Sequence, residues 1–186
     1  MEARLRKHPE FAVCGLNCGL CPRYHTDGPS RCPGCEGADF YEKHPACGVI
    51  SCSKRHGGVE FCYECSAYPC ERFSREGEED SFISYRNVLS DFEAARSGGL
   101  AAYLRNLHRK MEILEYLIGN VNDGRRKSFY CMAANLLPLE DLEEAIGEIR
   151  RMEGDAGLGK KECVARAVRL LNEKAEGRGI VLALRK

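Results

Sequence analysis

Cysteines are the residues with the clearest chemistry in this chain of 186 residues, which contains twelve of them. Ten are clustered in the first 70 residues: Cys14, Cys18, Cys21, Cys32, Cys35, Cys47, Cys52, Cys62, Cys65 and Cys70. Three pairs have C-x-x-C spacing, which lets two thiolates on one turn bind the same ion without strain. This spacing predicts metal binding rather than disulfide bonding.

The first predicted zinc site is formed by two C-x-x-C pairs separated by ten residues. Two such turns can present four thiolates in a tetrahedron, as a closed structural zinc site requires. In the Cys-Pro-Gly-Cys pair, proline fixes one backbone angle and glycine tolerates a left-handed one. The predicted ligands are Cys18, Cys21, Cys32 and Cys35.

The second group offers five cysteines for four ligand positions. Cys62 and Cys65 anchor it, and choosing their two nearest neighbours completes a predicted zinc site of Cys52, Cys62, Cys65 and Cys70. Cys47 is an alternative to either outer ligand. Two zinc ions per chain use eight of the ten cysteines, so Cys14 and Cys47 are the expected spare thiols and the alternative ligands.

Iron–sulfur chemistry is the alternative to zinc. Cys14-x3-Cys18-x2-Cys21 has the spacing of the cluster motif of radical S-adenosylmethionine enzymes. However, more cysteines and then helices follow it, instead of an α/β barrel pattern or a Gly-Gly-Glu loop. A [4Fe–4S] cluster without radical chemistry remains open, because thiolate-only ligation suits iron–sulfur clusters as well as zinc.

No catalytic residues are predicted. The chain has no recognisable Ser/His/Asp order, phosphate-binding glycine loop or pair of carboxylates, so enzymatic activity is left open. Histidines among the cysteines are expected to be solvated or hydrogen-bonded to ligands, since ten thiols already exceed two tetrahedral shells. Cys131 and Cys163 fall on apolar helical faces and are predicted to be small core residues.

A basic turn in the second half of the chain is a candidate anion site. Gly124 permits a tight turn, and Arg125, Arg126 and Lys127 follow it near the start of a predicted helix. Positive charge is unfavourable there unless a phosphate or carboxylate binds the exposed N–H groups. The alternative is pairing with Glu140, Asp141 or Glu143 on a neighbouring helix.

Composition divides the chain into two parts. Residues 1–70 contain only eight Val, Leu, Ile or Met residues. A hydrophobic core built from so few aliphatic side chains is too small to stabilise the segment without bound metal. Residues 71–186 begin with a charged connector and then follow helical periodicity. We therefore predict an α fold with a small metal-stabilised module, in which a zinc-knuckle part (1–70) packs on a bundle of about five helices (71–186).

The apolar pattern sets the expected elements. Helices are predicted over 81–96, 100–118, 125–137, 138–149 and 160–175, with a loop over 154–159. The first has Phe82, Tyr85, Val88, Leu89 and Phe92 as its expected inward residues. Short strands are predicted near Val13, at 49–50, at 59–61 and at 180–184.

Charge and hydropathy exclude several classes of protein. Lys plus Arg and Asp plus Glu both number 28, so the net charge is zero. The chain therefore lacks the overall positive electrostatic potential that is typical of proteins that bind DNA broadly. The longest apolar stretches are too short to cross a bilayer. The opening residues lack an apolar h-region, so we expect a cytoplasmic protein in a reducing compartment, where disulfides do not persist.

The cysteine motifs also resemble a known family. Cys14-Gly-Leu-Asn-Cys-Gly-Leu-Cys21, Cys32-Pro-Gly-Cys35, Cys62-Tyr-Glu-Cys65 and Tyr68-Pro-Cys70 are similar to the signature of the prokaryotic cysteine-rich family catalogued as domain of unknown function 3795. Residues 122–137 resemble the helical extension of its longer members. The resemblance implies zinc binding in the prokaryotic cytoplasm and implies no substrate.

These observations predict a zinc-binding protein whose metal sites are structural. The metal sites would order a surface that binds an unidentified protein or nucleic-acid partner. Because the chain has no net charge, a protein partner or a local contact with RNA is favoured over broad DNA binding. An iron–sulfur or thiol redox protein, or an enzyme using the same module, is the alternative. The oligomeric state is left open.

Overall fold

A computed structural model describes residues 5–72, 79–153 and 159–186. The cysteine-rich module contains two short α-helices, α1 (Phe40–Lys43) and α2 (Gly48–Arg55), and two 3₁₀ turns, Cys18–Leu20 and Cys62–Glu64. Most of its remaining backbone is in turns and irregular structure. This agrees with a segment rich in Gly, Pro and Cys and poor in aliphatic side chains.

In the described residues, five helices follow the module, and they confirm the predicted helical bundle. Their bounds are α3 (Val88–Ser97), α4 (Leu100–Asn120), α5 (Lys127–Leu136), α6 (Leu139–Glu153) and α7 (Lys160–Gly177). The apolar stripe of α4 faces the core, where Leu104, Leu107 and Leu114 are buried. Of the predicted loop over 154–159, all residues except Gly159 lie outside the described part of the chain.

Helix α3 begins seven residues later than predicted, and three of its expected core residues are exposed. Phe82, Tyr85 and Leu89 have exposed fractions of 49%, 40% and 53%, whereas Val88 and Phe92 are buried as predicted. Side-chain hydrogen bonds explain the difference. Asp80 accepts from the Tyr85 N–H at 2.9 Å, which stabilises a turn before the helix.

The predicted strands do not form, since the described residues contain no strand. Residues 49–50 instead lie in α2, where Ile50 packs against Phe40 in a small core cluster. At the C-terminus, backbone carbonyls accept hydrogen bonds from a side chain rather than from a strand. Arg86 donates to the carbonyls of Val181 at 2.7 Å and Ala183 at 2.5 Å.

One hydrophobic cluster joins the module to the bundle. Phe11 lies at its centre, with ring centroids 5.1 Å from Phe61, 5.8 Å from Phe92 and 4.7 Å from Tyr103. Phe11 and Phe61 come from the module, whereas Phe92 and Tyr103 come from α3 and α4. The two parts are therefore packed on each other, and their division at residue 70 stays an interpretation of composition.

Within the described ranges, no helix combines the length and apolar character needed to cross a membrane.

Candidate metal centres in the cysteine-rich module

Two of the C-x-x-C pairs have the same local geometry. The Cys21 N–H donates to the Cys18 carbonyl at 3.0 Å, and the Cys65 N–H donates to the Cys62 carbonyl at 3.0 Å. Each pair therefore spans a 3₁₀ turn, in which side chains three residues apart eclipse one another. This backbone brings the two thiols of each pair to the same side of the chain.

The third pair is held by a glycine turn. Gly34 has a φ of +85°, and a Cβ there would lie only 2.4 Å from the Pro9 carbonyl oxygen. The Cys35 N–H donates to that same oxygen at 2.7 Å. Glycine is therefore required for this close approach, and the Cys32–Cys35 turn is fixed against the start of the module.

A cavity of about 270 Å³, here called the small cavity, is lined by four thiols. They are the four ligands predicted for the second zinc site: Cys52, Cys62, Cys65 and Cys70. Cys52 comes from α2, and Cys62 and Cys65 come from a 3₁₀ turn and the residue that follows it. His56 also lines this cavity, with its Nδ1 atom 3.5 Å from the Cys65 Sγ atom. The sequence interpretation gave His56 no specific contact.

A second cavity of about 640 Å³, here called the large cavity, is lined by six thiols. They include the four predicted ligands of the first site together with the two expected spare thiols: Cys14, Cys18, Cys21, Cys32, Cys35 and Cys47. All ten clustered cysteines therefore line one of the two cavities. The exposed side chains of Phe82, Tyr85 and Leu89 form part of the wall of the large cavity.

Several thiols in these cavities have a raised pKa and resist ionisation: Cys14, Cys18, Cys21, Cys35 and Cys62. Burial, with smaller contributions from the nearby Cys35 and Cys47 thiols, raises the pKa of Cys14 to about 12. Burial likewise raises the pKa of Cys62 to about 12, with further contributions from Cys70, Cys52 and Cys65. Several thiolates are therefore unstable side by side unless positive charge is added, and a metal cation supplies such charge.

Arg6 supplies buried positive charge beside the large cavity. Its guanidinium donates at 2.9 Å to the carbonyls of both Phe11 and Glu60, and its Nε lies 3.2 Å from the Glu60 carboxylate. It also hydrogen-bonds the Cys35 thiol and opposes the rise of that thiol's pKa, which burial causes. Sequence reasoning missed Arg6, because nothing in the charged opening segment distinguishes it from solvated neighbours.

Asn17 joins the first cysteine motif to the bundle through partly buried hydrogen bonds. Its side-chain amide donates to Asp91 at 2.9 Å and its oxygen accepts from the Tyr103 hydroxyl at 2.8 Å. Burial raises the pKa of Asp91 to about 6, although Lys110, Tyr103 and Asn17 all oppose the rise. This polar network was also missed, because its two hydrogen bonds join residues 74 and 86 positions apart in the sequence.

The sulfur atoms are not yet arranged as metal ligands. Among residues 5–72, 79–153 and 159–186, no group of three or more His, Cys, Asp or Glu side chains is positioned to hold a metal ion. The turns that carry the cysteine pairs nevertheless have their backbone hydrogen bonds in place.

The basic turn is organised by two neighbouring side chains. Asn122 accepts from the N–H groups of Gly124 at 3.0 Å and Arg126 at 3.1 Å, and Asp123 accepts from Arg125 at 2.9 Å. The two arginines are exposed. Lys127 instead extends toward the module, with its Nζ 3.4 Å from the His25 carbonyl.

The carboxylates considered as alternative partners of the basic turn have other partners. Arg109 pairs with Glu143 at 2.7 Å, and Arg178 pairs with Asp141 at 2.8 Å. Arg178 also lies 3.6 Å from Glu140. The three carboxylates thus contact residues of α4 and the end of α7, and the anion site stays a prediction.

Residues 10–75 match the model of a protein family described as Protein of unknown function (DUF3795). The matched segment contains all ten clustered cysteines, and it confirms the family resemblance inferred from their motifs. Helices α3 to α7 lie outside the match, so the likeness of residues 122–137 to a family extension stays a prediction. No curated protein and no solved structure matches the chain.

Proposed function

We propose that the chain is a zinc-binding protein whose metal centres are structural. The observation that carries this proposal is the division of the ten clustered cysteines between two cavities, with no clustered cysteine left outside them. In this proposal the Cys18/Cys21 and Cys62/Cys65 turns act as zinc knuckles. The Cys32/Cys35 turn completes the first site, while Cys52 and Cys70 complete the second.

The chemistry of the donor atoms supports zinc. Thiolates are preferred ligands of zinc, and four of them form a closed tetrahedral shell with no open position for substrate. The raised pKa values of Cys18 and Cys62 mean that binding must release protons. A divalent cation offsets the repulsion between neighbouring thiolates, which burial alone makes severe.

A structural role follows from the small core of the module. Three buried module residues, Phe11, Leu20 and Phe61, belong to the cluster shared with the bundle. The module's own buried cluster consists of Ala12, Val13, Cys35, Phe40 and Ile50. So few apolar side chains give little stabilisation, and metal ligation would supply the remainder. Folding of the module and binding of zinc are therefore expected to be coupled.

The surface ordered by the metal includes the apolar wall of the large cavity. Phe82, Tyr85 and Leu89 are exposed there, and the Arg23 guanidinium lies 5.0 Å from the Phe82 ring centroid. Exposed aromatic groups beside an arginine suit a protein partner or a local contact with RNA bases. The balanced net charge does not favour broad binding to DNA.

Zinc content and folding of single cysteine variants test the proposal. Cys32→Ser is expected to lose zinc from the large cavity, and Cys62→Ser from the small cavity, with partial unfolding of the module in each case. Cys163→Ser, in a buried cysteine of α7, is the matched control and should keep all its zinc. Full zinc content in both ligand variants would refute the assignment.

A second measurement tests whether metal orders the proposed surface. Removal of zinc with a chelator should increase hydrogen exchange in residues 79–92 as well as in the module, because Phe11 packs on Phe92. Unchanged exchange in residues 79–92 would show that this surface does not depend on the metal. A brown preparation purified without oxygen, containing iron and sulfide, would instead support the iron–sulfur alternative.

A further inference from the structure

Exposed apolar side chains are concentrated at the large cavity. Seven large hydrophobic side chains are exposed in the described residues, and three of them, Phe82, Tyr85 and Leu89, line this one cavity. Two more lie within residues 180–186. Exposed apolar side chains that are grouped in this way are typical of an interaction site.

The wall that carries these side chains is held in place by polar contacts. The Asp80 carboxylate accepts from the backbone N–H of Arg185 at 2.8 Å and from its guanidinium at 3.1 Å. Arg86 donates to the carbonyls of Val181 and Ala183. The apolar side chains are therefore presented by a fixed segment, and a partner would not have to order it on binding.

The lining of the large cavity has the composition of a protein-binding surface. Phe and Tyr side chains line it together with four arginines, and the described lining residues include no Lys, Asp or Glu. The arginines are Arg23, Arg72, Arg86 and Arg185. The buried parts of protein interfaces are likewise enriched in aromatic residues and Arg and depleted in Lys, Asp and Glu. This composition favours a protein partner.

The same lining is less suited to RNA. Sequence-specific recognition of RNA uses hydrogen bonds to base edges, and Asn and Gln, whose amides make such bonds, do not occur among the described lining residues. Leu16, Val49 and Leu89 instead provide aliphatic surface. An apolar side chain of a protein partner fits such a surface better than the polar edge of a base.

Two of the four arginines have no carboxylate partner among the described residues. Arg185 pairs with Asp80 at 3.1 Å. Arg23 donates to the neutral carbonyl of Lys43 at 3.2 Å, and no ion pair of the described residues involves Arg23 or Arg72. Positive charge beside an apolar cavity is complementary to a partner that carries carboxylates.

We propose that the large cavity binds an acidic segment of a protein partner. The segment packs an aliphatic or aromatic side chain against Phe82, Tyr85 and Leu89, and its carboxylates pair with Arg23 and Arg72. The apolar side chain supplies most of the affinity, because exposed ion pairs contribute little, whereas the carboxylates select the partner. This inference rests on the proposed function and names the kind of partner that the metal-ordered surface binds.

Selection from a phage library of random peptides tests the chemistry of the partner. The zinc-loaded full chain is expected to select peptides in which Asp or Glu residues flank a Leu, Ile, Phe or Trp residue. Selection of peptides without acidic residues, or no selection, would overturn the proposal. Binding of a random-sequence RNA pool in place of the peptides would overturn it, as would self-association of the chain that Leu89→Ala abolishes.

The affinity of the selected peptide, measured by fluorescence anisotropy, tests the residues. Arg23→Gln/Arg72→Gln and Leu89→Ala should each weaken binding about fivefold or more. The control Arg105→Gln/Arg169→Gln removes the same charge at exposed positions outside the cavity and should keep the wild-type affinity. Equal effects of the control and the cavity variants would overturn the proposal.

Zinc content of the same samples separates this proposal from the zinc proposal. Full zinc content with weakened peptide binding in Leu89→Ala supports docking in the cavity. Loss of zinc with unchanged peptide binding in Arg23→Gln/Arg72→Gln would mean that these arginines only offset thiolate charge, and would overturn their docking role. A wild type that lacks zinc but binds acidic peptides would refute the zinc proposal alone, whereas a zinc-loaded wild type that binds none would refute only the docking proposal.

Discussion

Asn17 donates a hydrogen bond of 2.9 Å to the carboxylate of Asp91, and this bond joins the first cysteine motif to helix α3. Asn17 immediately precedes Cys18, so the position of that thiol is linked to the bundle through one side chain. Lys110 is the nearby cation, and it donates to the Leu137 carbonyl at 2.7 Å. The Asp91 carboxylate is thus partly buried near a cation, without a direct ion pair in the described residues.

Asp91 should make the stability of the protein depend on pH. Its pKa is raised to about 6 in the folded state, chiefly by burial, from an ordinary value of 3.8. A raised carboxyl pKa gives stability that is fully present below the ordinary value and is lost as pH rises through 6. At neutral pH the partly buried carboxylate therefore costs stability.

Asp91→Asn removes this titration while an amide oxygen can still accept from Asn17. The unfolding free energy of Asp91→Asn minus that of the wild type should increase by up to about 3 kcal/mol between pH 4 and pH 7. Urea unfolding of both proteins at each pH measures this difference in unfolding free energy. Loss of metal in acid affects both proteins alike and cancels in the difference. Asp27→Asn, at an exposed loop position, should give a flat difference. A flat difference for Asp91→Asn would contradict the prediction.

The positions of helices were predictable from apolar periodicity wherever local sequence and tertiary packing agree. The alternating three- and four-residue steps from Leu100 to Ile118 correctly predict α4, and the glycine and asparagine after them mark its end. The start of α3 was not predictable in this way. There, Asp80 and Ser84 hydrogen-bond the backbone and hold a turn, so Phe82 remains outside the helix.

The grouping of thiols was only partly predictable from spacing. Local spacing identifies pairs such as Cys62 and Cys65, because they belong to one 3₁₀ turn and the residue that follows it. It does not show which cavity Cys14 and Cys47 line, because that depends on how separate turns pack. Cys47 lies twelve residues after its neighbour Cys35 and immediately before α2, where only the fold brings it back to the large cavity.

Arg6 is expected to be essential for the stability of the module. Arg6→Met would remove the hydrogen bonds that the guanidinium donates to the Phe11 and Glu60 carbonyls. It would also remove the positive charge beside the Glu60 carboxylate. We expect a loss of at least about 2 kcal/mol in the free energy of unfolding, since buried groups would lose their partner. Chemical denaturation of the zinc-loaded protein measures this loss.

The control for Arg6 is an exposed arginine of α4. Arg105→Met removes the same charge and side chain, and should change stability by less than about 0.5 kcal/mol. An equally small effect for Arg6→Met would mean that its buried contacts contribute little. Zinc content measured on the same samples separates a loss of stability from a loss of metal.

Cys131 should be chemically inert in the folded protein. Its exposed fraction is 1%, and burial raises its pKa to about 12, so the reactive thiolate is a fraction on the order of 10⁻⁴ at pH 8. Iodoacetamide followed by mass spectrometry should find Cys131 unmodified in the native protein and modified after denaturation. Native labelling of Cys131 at the rate of a free exposed thiol would contradict its assignment to the core.

The basic turn gives a test in which stability and binding should respond differently. Asn122 and Asp123 already accept hydrogen bonds from the loop, so an anion would bind the first-turn N–H groups of α5. The pair formed by Arg126 and Asp123 is exposed, with a separation of 3.6 Å, and contributes little to stability.

We therefore expect the double variant Arg125→Gln/Arg126→Gln to keep its stability within a few tenths of a kcal/mol, or to gain slightly, because an unfavourable helix-dipole interaction is removed. Inorganic phosphate should shift the amide NMR signals of residues 122–130 in the wild type, less so in this variant, and less at high salt. Arg166→Gln/Arg169→Gln on α7 removes the same charge elsewhere and should leave those shifts unchanged. A loss of about 1 kcal/mol or more in the first variant would mean that its arginines hold the fold, and the anion site should then be abandoned.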